Sequence, residues 1–384
     1  MDIVTKIDTN NVYGQIPDNA CPAVNETPGV KIEPRMERCA FSPVYTMVTY
    51  TKMYSNGKIL ESKKLALFEE GEMERVNVRK IELMPVKANL KPILEYYGCD
   101  VKYNVVSRTC DVFQNGEPVG KLPDNKDIIK EMCQIQKFKA TSGRLDEMLS
   151  SIADENRYNP WHDYLAACEL KYDGRTDYIG QLCDTIKSGI PESAKRLYIE
   201  KNLIQMACVG TSGEHDQTSQ DILVVLIGAP GIGKSRWFEK LLPESFSNQG
   251  YFMGNYRHRV DSKKAIRELH GKLLIEWVGL ESHYDGFSCI SRKYDSIRHP
   301  LYKGIAKIKR HMCLCASMTN NIFKTKENNN RHFAVIDCKE IDSEHNVDMD
   351  GVWGQVWRLK LNGAQYWFTK GEIEELLERN KSIE

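Results

Sequence analysis

Short apolar runs in the second half of the chain set the expected architecture. Four such runs stand between residues 220 and 340: ILVVLIG, KLLIEW, MCLCAS and FAVIDC. Polar or helix-like stretches separate them. Apolar strands that alternate with such stretches are typical of a mostly parallel sheet covered by helices. We therefore predict an α/β core over residues 220–384.

The first 85 residues carry a different pattern. Residues 1 to about 40 are rich in Asn and Pro and show no hydrophobic period, which predicts a loosely held arm or an irregular cap. After Pro43, the runs VYTMVTYTKMY and KILESKKLALF flank the pair Asn56-Gly57. Because an Asn-Gly pair supplies the positive φ angles of a tight turn, these runs predict a β-hairpin.

Between these two parts the pattern changes from strand-like to helical. The runs VKYNVVSR and TCDVFQNG predict a second hairpin, with Asn115-Gly116 and Pro118 as breakers. Further on, Asp124 and Thr141 are placed to cap helices, and Pro160 is placed to open one at its first turn. We therefore expect an arm with a hairpin, a small α+β subdomain, a helical collar and the α/β core, at residues 1–85, 86–123, 124–219 and 220–384.

Composition narrows the class of protein. Apolar residues make up 41% and charged residues 28%, as in ordinary soluble globular proteins. The formal net charge is zero, so any contact with nucleic acid must come from local clusters of Lys and Arg. No apolar run approaches the roughly 20 residues of a membrane helix, and MDIVTKIDTN lacks the pattern of a signal peptide. We expect a cytoplasmic protein with reduced thiols and no membrane partner.

The most informative motif lies between the first apolar run of the core and a helix-compatible segment, RWFEKLL. It reads GAPGIGKS and satisfies the phosphate-loop pattern G-x-x-x-x-G-K-[ST]. Glycines let the backbone curl so that its N–H groups point inward, and the helix that follows adds partial positive charge where phosphates would sit. The residues predicted to bind ATP are Gly228, Ala229, Pro230, Gly231, Ile232, Gly233, Lys234, Ser235 and Arg236.

Later residues complete a candidate site for ATP hydrolysis. Lys234 would neutralise the β- and γ-phosphates, and Ser235 would place its hydroxyl on Mg²⁺. Glu276 stands near the end of the run KLLIEW, where an acid can lie beside Mg²⁺ and the attacking water. Asn320 follows the third run and could orient that water or sense the terminal phosphate. Arg331, in a polar loop, could stabilise transition-state charge on the nucleotide of a neighbouring subunit.

Each of these assignments has a plainer alternative that the residues alone leave open. A buried strand can end in Glu by accident, Asn is an ordinary turn former, and an exposed Arg often makes an incidental ion pair. Phosphate loops also occur in kinases and GTPases, although no NKxD base-reading motif is present here. A phosphotransferase that acts on a small molecule is therefore one alternative function.

Several motifs along the chain are shared with a known family. They are Asn159-Pro160-Trp161-His162-Asp163-Tyr164-Leu165, Tyr172-Asp173-Gly174-Arg175, the phosphate loop, Gly271–Glu276, Ser291-Arg292 with Asp295 and Arg298, Thr319-Asn320, and Asn330-Arg331-His332-Phe333. Over about residues 88–384 the chain resembles the virulence-associated protein E family of phages and pathogenicity islands, and more broadly the superfamily 3 helicases. This resemblance implies a P-loop AAA+ core that uses ATP and Mg²⁺ and forms rings around DNA.

The chain departs from the family pattern at two positions. The family usually has a second carboxylate three residues after Glu276, where this chain has Gly279, which leaves open whether Glu276 or Glu281 polarises water. The family also tends to have two consecutive arginines where this chain has Arg331-His332. A weakened or specialised ATPase is therefore a further alternative.

A basic stretch between the second and third apolar runs is the candidate DNA contact. In superfamily 3 members this interval forms a hairpin that grips the phosphate backbone within the ring, and cations spaced on a hairpin suit contacts that do not depend on base sequence. The alternative is a solvated basic face. Arg310 belongs to the stretch, and the residues predicted to bind DNA are Arg292, Lys293, Arg298, Lys303, Lys307 and Lys309.

These observations lead to two main functional hypotheses. The first is an ATP-dependent replicative DNA helicase of a phage or another mobile element, which moves along single-stranded or forked DNA as a homo-oligomeric ring, expected to be a hexamer. A primase or polymerase would then be a natural partner. The second is a replication initiator in which residues 1–120 recognise an origin and ATP only controls assembly.

Overall fold

The protein is described by a computed structural model. It describes the backbone of residues 30–34, 50–54 and 59–63, and residues 85–136, 138–278, 280, 290–298, 304–323 and 330–383. The chain divides into two compact units. The first contains Met1–Asn104 and Thr109–Tyr158, and the second contains Val105–Arg108 and Asn159–Glu384.

A three-stranded antiparallel sheet lies in the first unit, in the order β1-β2-β3. Its strands are β1 (Val30–Pro34), β2 (Tyr50–Tyr54) and β3 (Ile59–Lys63). Pairing of β2 with β3 confirms the first predicted hairpin, whose Asn56-Gly57 turn lies outside the described residues. The prediction of an irregular arm over residues 1–40 is wrong at β1, because its sequence VKIEP alternates apolar and polar residues and pairs with β2 along its whole length.

The rest of the first unit is a four-stranded sheet with three helices, in the strand order β6-β5-β4-β7. The elements are α1 (Lys87–Tyr96), β4 (Cys99–Asn104), β5 (Thr109–Gln114), β6 (Glu117–Lys121), α2 (Leu122–Ile135), α3 (Ser142–Glu155) and β7 (Arg157–Tyr158). Buried residues such as Leu90, Val101, Ile129 and Leu149 form the core between sheet and helices. The second predicted hairpin is confirmed as β4 and β5.

Local signals in this unit were right in part. Asn115 and Gly116 have positive φ angles of 52° and 90° and form the turn before β6. Pro118 does not break the structure, because β6 is an edge strand, where a missing N–H is tolerated. Asp124 lies inside the first turn of α2 rather than capping it, since the helix already begins at Leu122. Thr141 caps α3 as predicted, accepting from the backbone N–H of Arg144 at 3.3 Å.

The second unit is built on a six-stranded sheet in the order β10-β11-β14-β9-β15-β8. All its neighbouring strands are parallel except β8, which runs antiparallel to β15. The strands are β8 (Ile186–Ser188), β9 (Leu223–Ile227), β10 (Phe252–Tyr256), β11 (Leu274–Trp277), β14 (Cys313–Met318) and β15 (Phe333–Ile341). Because β9, β11 and β14 are interior strands, every one of their residues is buried, which explains the unbroken apolar runs.

Helices and a hairpin complete this unit. They are α4 (Pro160–Lys171), α5 (Tyr178–Asp184), α6 (Glu192–Gly210), α7 (Lys234–Lys240), α8 (Glu244–Asn248), α9 (Lys263–Leu269), the hairpin strands β12 (Tyr294–Arg298) and β13 (Ile305–Lys309), α10 (Met349–Leu361) and α11 (Lys370–Ser382). Pro160 opens α4 as predicted, and Asn159 caps it by accepting from the N–H of Trp161 at 3.0 Å.

The helices of the predicted collar, residues 124–219, divide between the two units. Helices α2 and α3 belong to the first unit, whereas α4, α5 and α6 belong to the second. The reason lies in packing: Trp161 of α4 is fully buried and meets Trp353 of α10 edge to face, with ring centroids 4.7 Å apart. Within the described part of the chain, no helix is long and apolar enough to cross a bilayer.

Candidate functional site

The glycine-rich loop, Gly228–Gly233, joins the carboxyl end of β9 to α7. It lies between β14 and β15, since the N–H of Gly228 donates to the carbonyl of Met318 at 3.2 Å and a Cβ on Gly228 would stand 2.6 Å from the carbonyl oxygen of Cys338. Gly231 and Gly233 have φ angles of +83° and +96°. Side chains are excluded at Gly228 by space and disfavoured at the other two positions by backbone conformation.

Lys234 is the first residue of α7, and its side chain turns back over the loop. Its ammonium donates to the carbonyl oxygens of Gly228 at 2.7 Å and Ala229 at 2.8 Å. Burial lowers the pKa of Lys234, and the nearby Cys338 and Glu276 oppose that effect. The ammonium is thus held within the turn of the loop, where an anion enclosed by the loop would meet it.

Glu276 lies on β11 and is fully buried. Its carboxylate accepts three hydrogen bonds. The hydroxyl of Ser235 donates to Oε1 at 2.6 Å, the hydroxyl of Ser317 donates to the same oxygen at 2.5 Å, and the backbone N–H of Asn255 donates to Oε2 at 3.1 Å. The structure therefore brings Lys234, Ser235 and Glu276 together at the carboxyl ends of the parallel strands.

Two members of this cluster were missed by sequence reasoning. Ser317 is a buried polar residue near the end of the apolar strand β14, and that position was the available signal. Asn255 stands where the pairing of β10 with β11 becomes irregular, and its φ of +61° turns its N–H toward Glu276. Asn tolerates this left-handed conformation better than most residues, but no local pattern announces it.

Asn320 and Arg331 lie at opposite ends of the strands. Asn320 is exposed and follows β14 by two residues, at the same edge as the glycine-rich loop. Arg331 is exposed in the short 3-10 turn before β15, whose first residue, Phe333, pairs with Leu223 at the start of β9. At about 3.3 Å per residue, the five residues of β9 separate the amino and carboxyl ends of the strand by roughly 13 Å. The sheet therefore holds Arg331 away from the loop of its own chain.

His332 orients Arg331. Its Nδ1 lies 2.7 Å from the carbonyl oxygen of Asp221, so the proton of a neutral ring sits on Nδ1. The other ring nitrogen, Nε2, then accepts from Nε of Arg331 at 3.3 Å. The histidine that stands where the family tends to have a second arginine thus contacts the first.

The basic stretch forms an antiparallel hairpin from β12 and β13, which pair from Tyr294 with Lys309 to Arg298 with Ile305. Lys307 is exposed and lies over the ring of Tyr294, 4.6 Å from its centroid. Arg292 and Arg298 are also exposed, and the partly buried Lys293 donates to Gln217 at 3.1 Å. Lys303, Gly279 and Glu281 lie outside the described residues.

Lys309, predicted to bind DNA, is corrected to a structural residue. It is only 3% exposed, and its ammonium donates to the carbonyl oxygen of Asp216 at 2.9 Å and to that of Thr218. Desolvation lowers its pKa to about 8. Lys307 and Lys309 lie on the same face of β13, because they are two residues apart. Lys307 is exposed, whereas Lys309, at the base of the hairpin, is covered by the segment that precedes β9.

A buried ionic cluster anchors the same base. Asp295, with 1% of its side chain exposed, accepts from Nε of Arg310 at 2.5 Å and Nη2 at 2.9 Å, and lies 3.0 Å from Nε2 of His270. Burial alone would raise the pKa of Asp295, but hydrogen bonds from His270 and Arg310 outweigh it and hold that pKa well below its usual range. Arg310 therefore fixes the hairpin and, at 7% exposure, does not face solvent.

Comparison with known proteins gives one family and several distant structures. A model of the virulence-associated protein E-like domain matches residues 174–384. A solved chain described as the A form apo structure of the NrS-1 C terminal region has a TM-score of 0.44 and 13% identity, covering 78% of this chain and 75% of that chain. A second, the apo structure of the NrS-1 C terminal region (305-718), has a TM-score of 0.42 and 13% identity over 76% of this chain and 73% of that one. No curated protein matches.

We expect Asp295→Asn to destabilise the second unit by about 3–5 kcal/mol at pH 7, because it leaves Arg310 buried without its carboxylate. A carboxyl whose pKa is lowered by folding stabilises the protein above its unfolded pKa of about 3.9, and that stabilisation is lost as the pH falls further. The difference in the free energy of unfolding between wild type and Asp295→Asn should therefore decrease as the pH drops from 5 to 3. Urea unfolding at several pH values measures it.

The matched control for this prediction is Glu340→Gln, the same chemical change at a carboxylate that is 67% exposed and pairs with Lys187. Its effect should stay within about 0.5 kcal/mol. A gap for Asp295→Asn that stays constant with pH would contradict the assignment of a buried, ionised Asp295.

Proposed function

Because the chain belongs to the virulence-associated protein E-like family, we propose that it is an ATP hydrolase with a P-loop AAA+ core that acts on DNA during replication of a phage or another mobile element. The observation that carries this proposal is the contact between Ser235 and the fully buried Glu276, beside Lys234 and the glycine-rich loop. Hydroxyl and carboxylate oxygens are the ligands that Mg²⁺ prefers, so these residues fit a magnesium nucleotide.

Topology supports the placement of the nucleotide. The chain leaves β9 toward β10 on one side of the sheet and later returns as β15 on the other side. In parallel α/β sheets, ligands bind outside the carboxyl ends of the strands at such a switch point, which is where the glycine-rich loop lies. The backbone N–H groups of Lys234 and Ser235 stand at the first turn of α7 and have no acceptor within the helix.

Lys234 would change partners when the nucleotide enters. The ammonium of Lys234 would exchange the carbonyl oxygens of Gly228 and Ala229 for phosphate oxygens, which are better acceptors because they are charged. Bound Mg²⁺ would neutralise part of the negative charge on the β- and γ-phosphates. Asn320, exposed at the same edge, is the residue we assign to orienting the attacking water.

We assign the base and ribose to a cavity at the loop that follows β15. It has a volume of about 730 Å³ and is lined by residues that include Gln181, Asp184, Asp342 and Asn346. The loop that follows β15 brings it close to Gly233, because a Cβ on Gly233 would stand 2.7 Å from Oγ of Ser343. Arg236, one of the predicted ATP ligands, pairs with Glu344 of the same loop at 2.7 Å.

Arg331 would serve the nucleotide of a neighbouring subunit. Arg331 is exposed and lies at the amino ends of the strands, whereas its own glycine-rich loop lies at their carboxyl ends. This position supports a role at the boundary between two subunits, and a closed ring of identical chains would contain such boundaries. An arginine supplied in this way stabilises the charge of the phosphoryl-transfer transition state. His332, which accepts from Nε of Arg331, would keep the guanidinium in a constant orientation.

The exposed cations of the hairpin would contact single-stranded DNA. Arg298 and Lys307 lie on its two strands, and the net charge of the whole chain is zero, so attraction of phosphates depends on such local groups. Contacts to the backbone carry no base specificity, which suits movement along a strand. We therefore favour a ring helicase, expected to be a hexamer, that translocates on single-stranded DNA.

A second candidate function is an initiator whose ATP binding only controls assembly. It is favoured by one observation: Glu276 has both carboxylate oxygens occupied by donors, and Gly279 replaces a second acid. Such a site would bind the nucleotide well and cleave it slowly.

We expect the wild-type protein to hydrolyse ATP and single-stranded DNA to stimulate it, because the hairpin and the loop belong to one unit. Lys234→Ala should reduce the rate by on the order of 100-fold or more, since it removes a charge placed where phosphate charge develops. Lys240→Ala is the matched control, a lysine on the same helix that pairs with Glu344 instead. Equal rates for the two variants would contradict the proposed site.

Arg331→Ala should lower the rate by roughly 10³-fold if the arginine acts in trans. Mixing Arg331→Ala with Lys234→Ala protein should restore activity above that of either alone, because a mixed assembly contains some boundaries with an intact loop and an intact arginine. ATPase rate against mixing ratio is the measurement. No recovery on mixing, together with a wild-type rate per chain that is independent of protein concentration, would reject a shared site.

Strand displacement on a forked duplex separates the two candidate functions. A helicase should separate the strands with ATP and fail with a non-hydrolysable analogue. An initiator would bind the fork, respond to ATP in its assembly state, and leave the duplex intact. Lys234→Ala provides the control for contaminating helicases in both assays.

A further inference from the structure

We propose that Ser317 is a positioning residue that holds the carboxylate of Glu276 against Ser235 and thereby sets the Mg²⁺ requirement of nucleotide binding. This inference rests on the proposed function, since it gives a role to a residue of the same site. The family match covers Ser317 within residues 174–384 but gives it no role, and the motifs that carry the resemblance do not include it.

The position of Ser317 follows from the register of two interior strands. Glu276 of β11 pairs with Cys315 of β14, and Ser317 is two residues further along, on the same face of the strand. Its side chain is 5% exposed, and its hydroxyl donates to Oε1 of Glu276 at 2.5 Å. The contact is therefore made between two side chains that neighbouring parallel strands hold in place.

Oε1 of Glu276 accepts from two hydroxyls that differ in what else they do. Ser235 belongs to α7, next to the glycine-rich loop, and would engage the metal nucleotide. Ser317 belongs to the interior of the sheet, and its buried hydroxyl is already directed at Glu276. Only Ser317 can therefore keep its contact with Glu276 unchanged when the nucleotide binds.

Loss of this contact has a specific consequence. The terminal torsion of a Glu side chain is broad, so a carboxylate without Ser317 can rotate away from Ser235. Its Oε1 would also lose one of its two donors in a place without solvent, which is costly for a charged group. Affinity for Mg²⁺ with nucleotide should fall, whereas contacts of the loop backbone and Lys234 with the phosphates should remain.

The arrangement also assigns Glu276 to the metal side of the site. Both of its oxygens accept hydrogen bonds from groups fixed by the fold, so it acts through Ser235 rather than as the group that removes a proton from water. The sequence left that second role open between Glu276 and a later acid.

The experiment compares the full chain carrying Ser317→Ala, Ser317→Cys or Cys315→Ala with wild type. Binding of a fluorescent ATP analogue is titrated with Mg²⁺, and again in excess EDTA. Cys315→Ala is the matched control, because Cys315 is fully buried on the same face of β14 and its thiol donates to the carbonyl of Ile275 instead. ATPase is measured over the same range of Mg²⁺ concentration.

Ser317→Ala should raise the half-saturating Mg²⁺ concentration roughly tenfold or more, as expected for one lost hydrogen bond to a charged group, and change affinity in EDTA less than twofold. Ser317→Cys, which keeps the volume and a weak donor, should lie between. Cys315→Ala should match wild type. Equal Mg²⁺ dependence for Ser317→Ala and Cys315→Ala overturns the inference. Should Ser317→Ala not fold, a Mg²⁺ dependence of Ser317→Cys equal to that of wild type overturns it instead.

Thermal unfolding without nucleotide separates this inference from the proposed function. Ser317→Ala should melt several degrees below Cys315→Ala, because only the former removes a donor from the buried carboxylate. If wild type binds no nucleotide, the proposed function fails; the melting comparison then still decides, since equal melting temperatures overturn the contact and its holding role.

Discussion

The candidate site depends on a buried carboxylate whose hydrogen bonds, among the described residues, all come from uncharged donors. Glu276 lies in the middle of a sheet with no access to solvent, and an ionised group there is costly unless donors surround it. Three neighbouring segments provide those donors: the turn that opens α7, the irregular end of β10, and β14. The same hydrogen bonds that make the charge tolerable also fix its distance from the glycine-rich loop.

The second organising feature is the distance between the carboxyl ends and the amino ends of the parallel strands. Groups that would hold a nucleotide gather at the carboxyl ends of the strands, while Arg331 stands at the amino ends. In the proposed function, a chain with this layout would carry both halves of the site without joining them within itself. Contact between two copies would bring them together, and the imidazole of His332 would present the arginine to the second copy in a fixed orientation.

Sequence reasoning was strongest where one local rule decides the outcome. Unbroken apolar runs predicted β9, β11, β14 and β15, because interior parallel strands are buried on both faces. It was weaker where the outcome depends on which side chains meet across strands. Ser317 and Asn255 touch Glu276 only through the register and irregularity of the sheet, and Lys309 resembles any surface lysine until its pairing at the base of the hairpin is known.

The burial of Lys309 and Arg310 changes what kind of arm the hairpin is. At the base of the hairpin, the ammonium of Lys309 and the guanidinium of Arg310 are bound to carbonyl and carboxylate oxygens. In the described residues, the exposed positive charge of its strands therefore lies further out, on Arg298 and Lys307. A pull on its tip would therefore reach the rest of the unit through the buried contacts of Lys309 and Arg310. Among the described residues, phosphates would therefore meet the outer part of the hairpin, at Arg298 and Lys307, rather than its base.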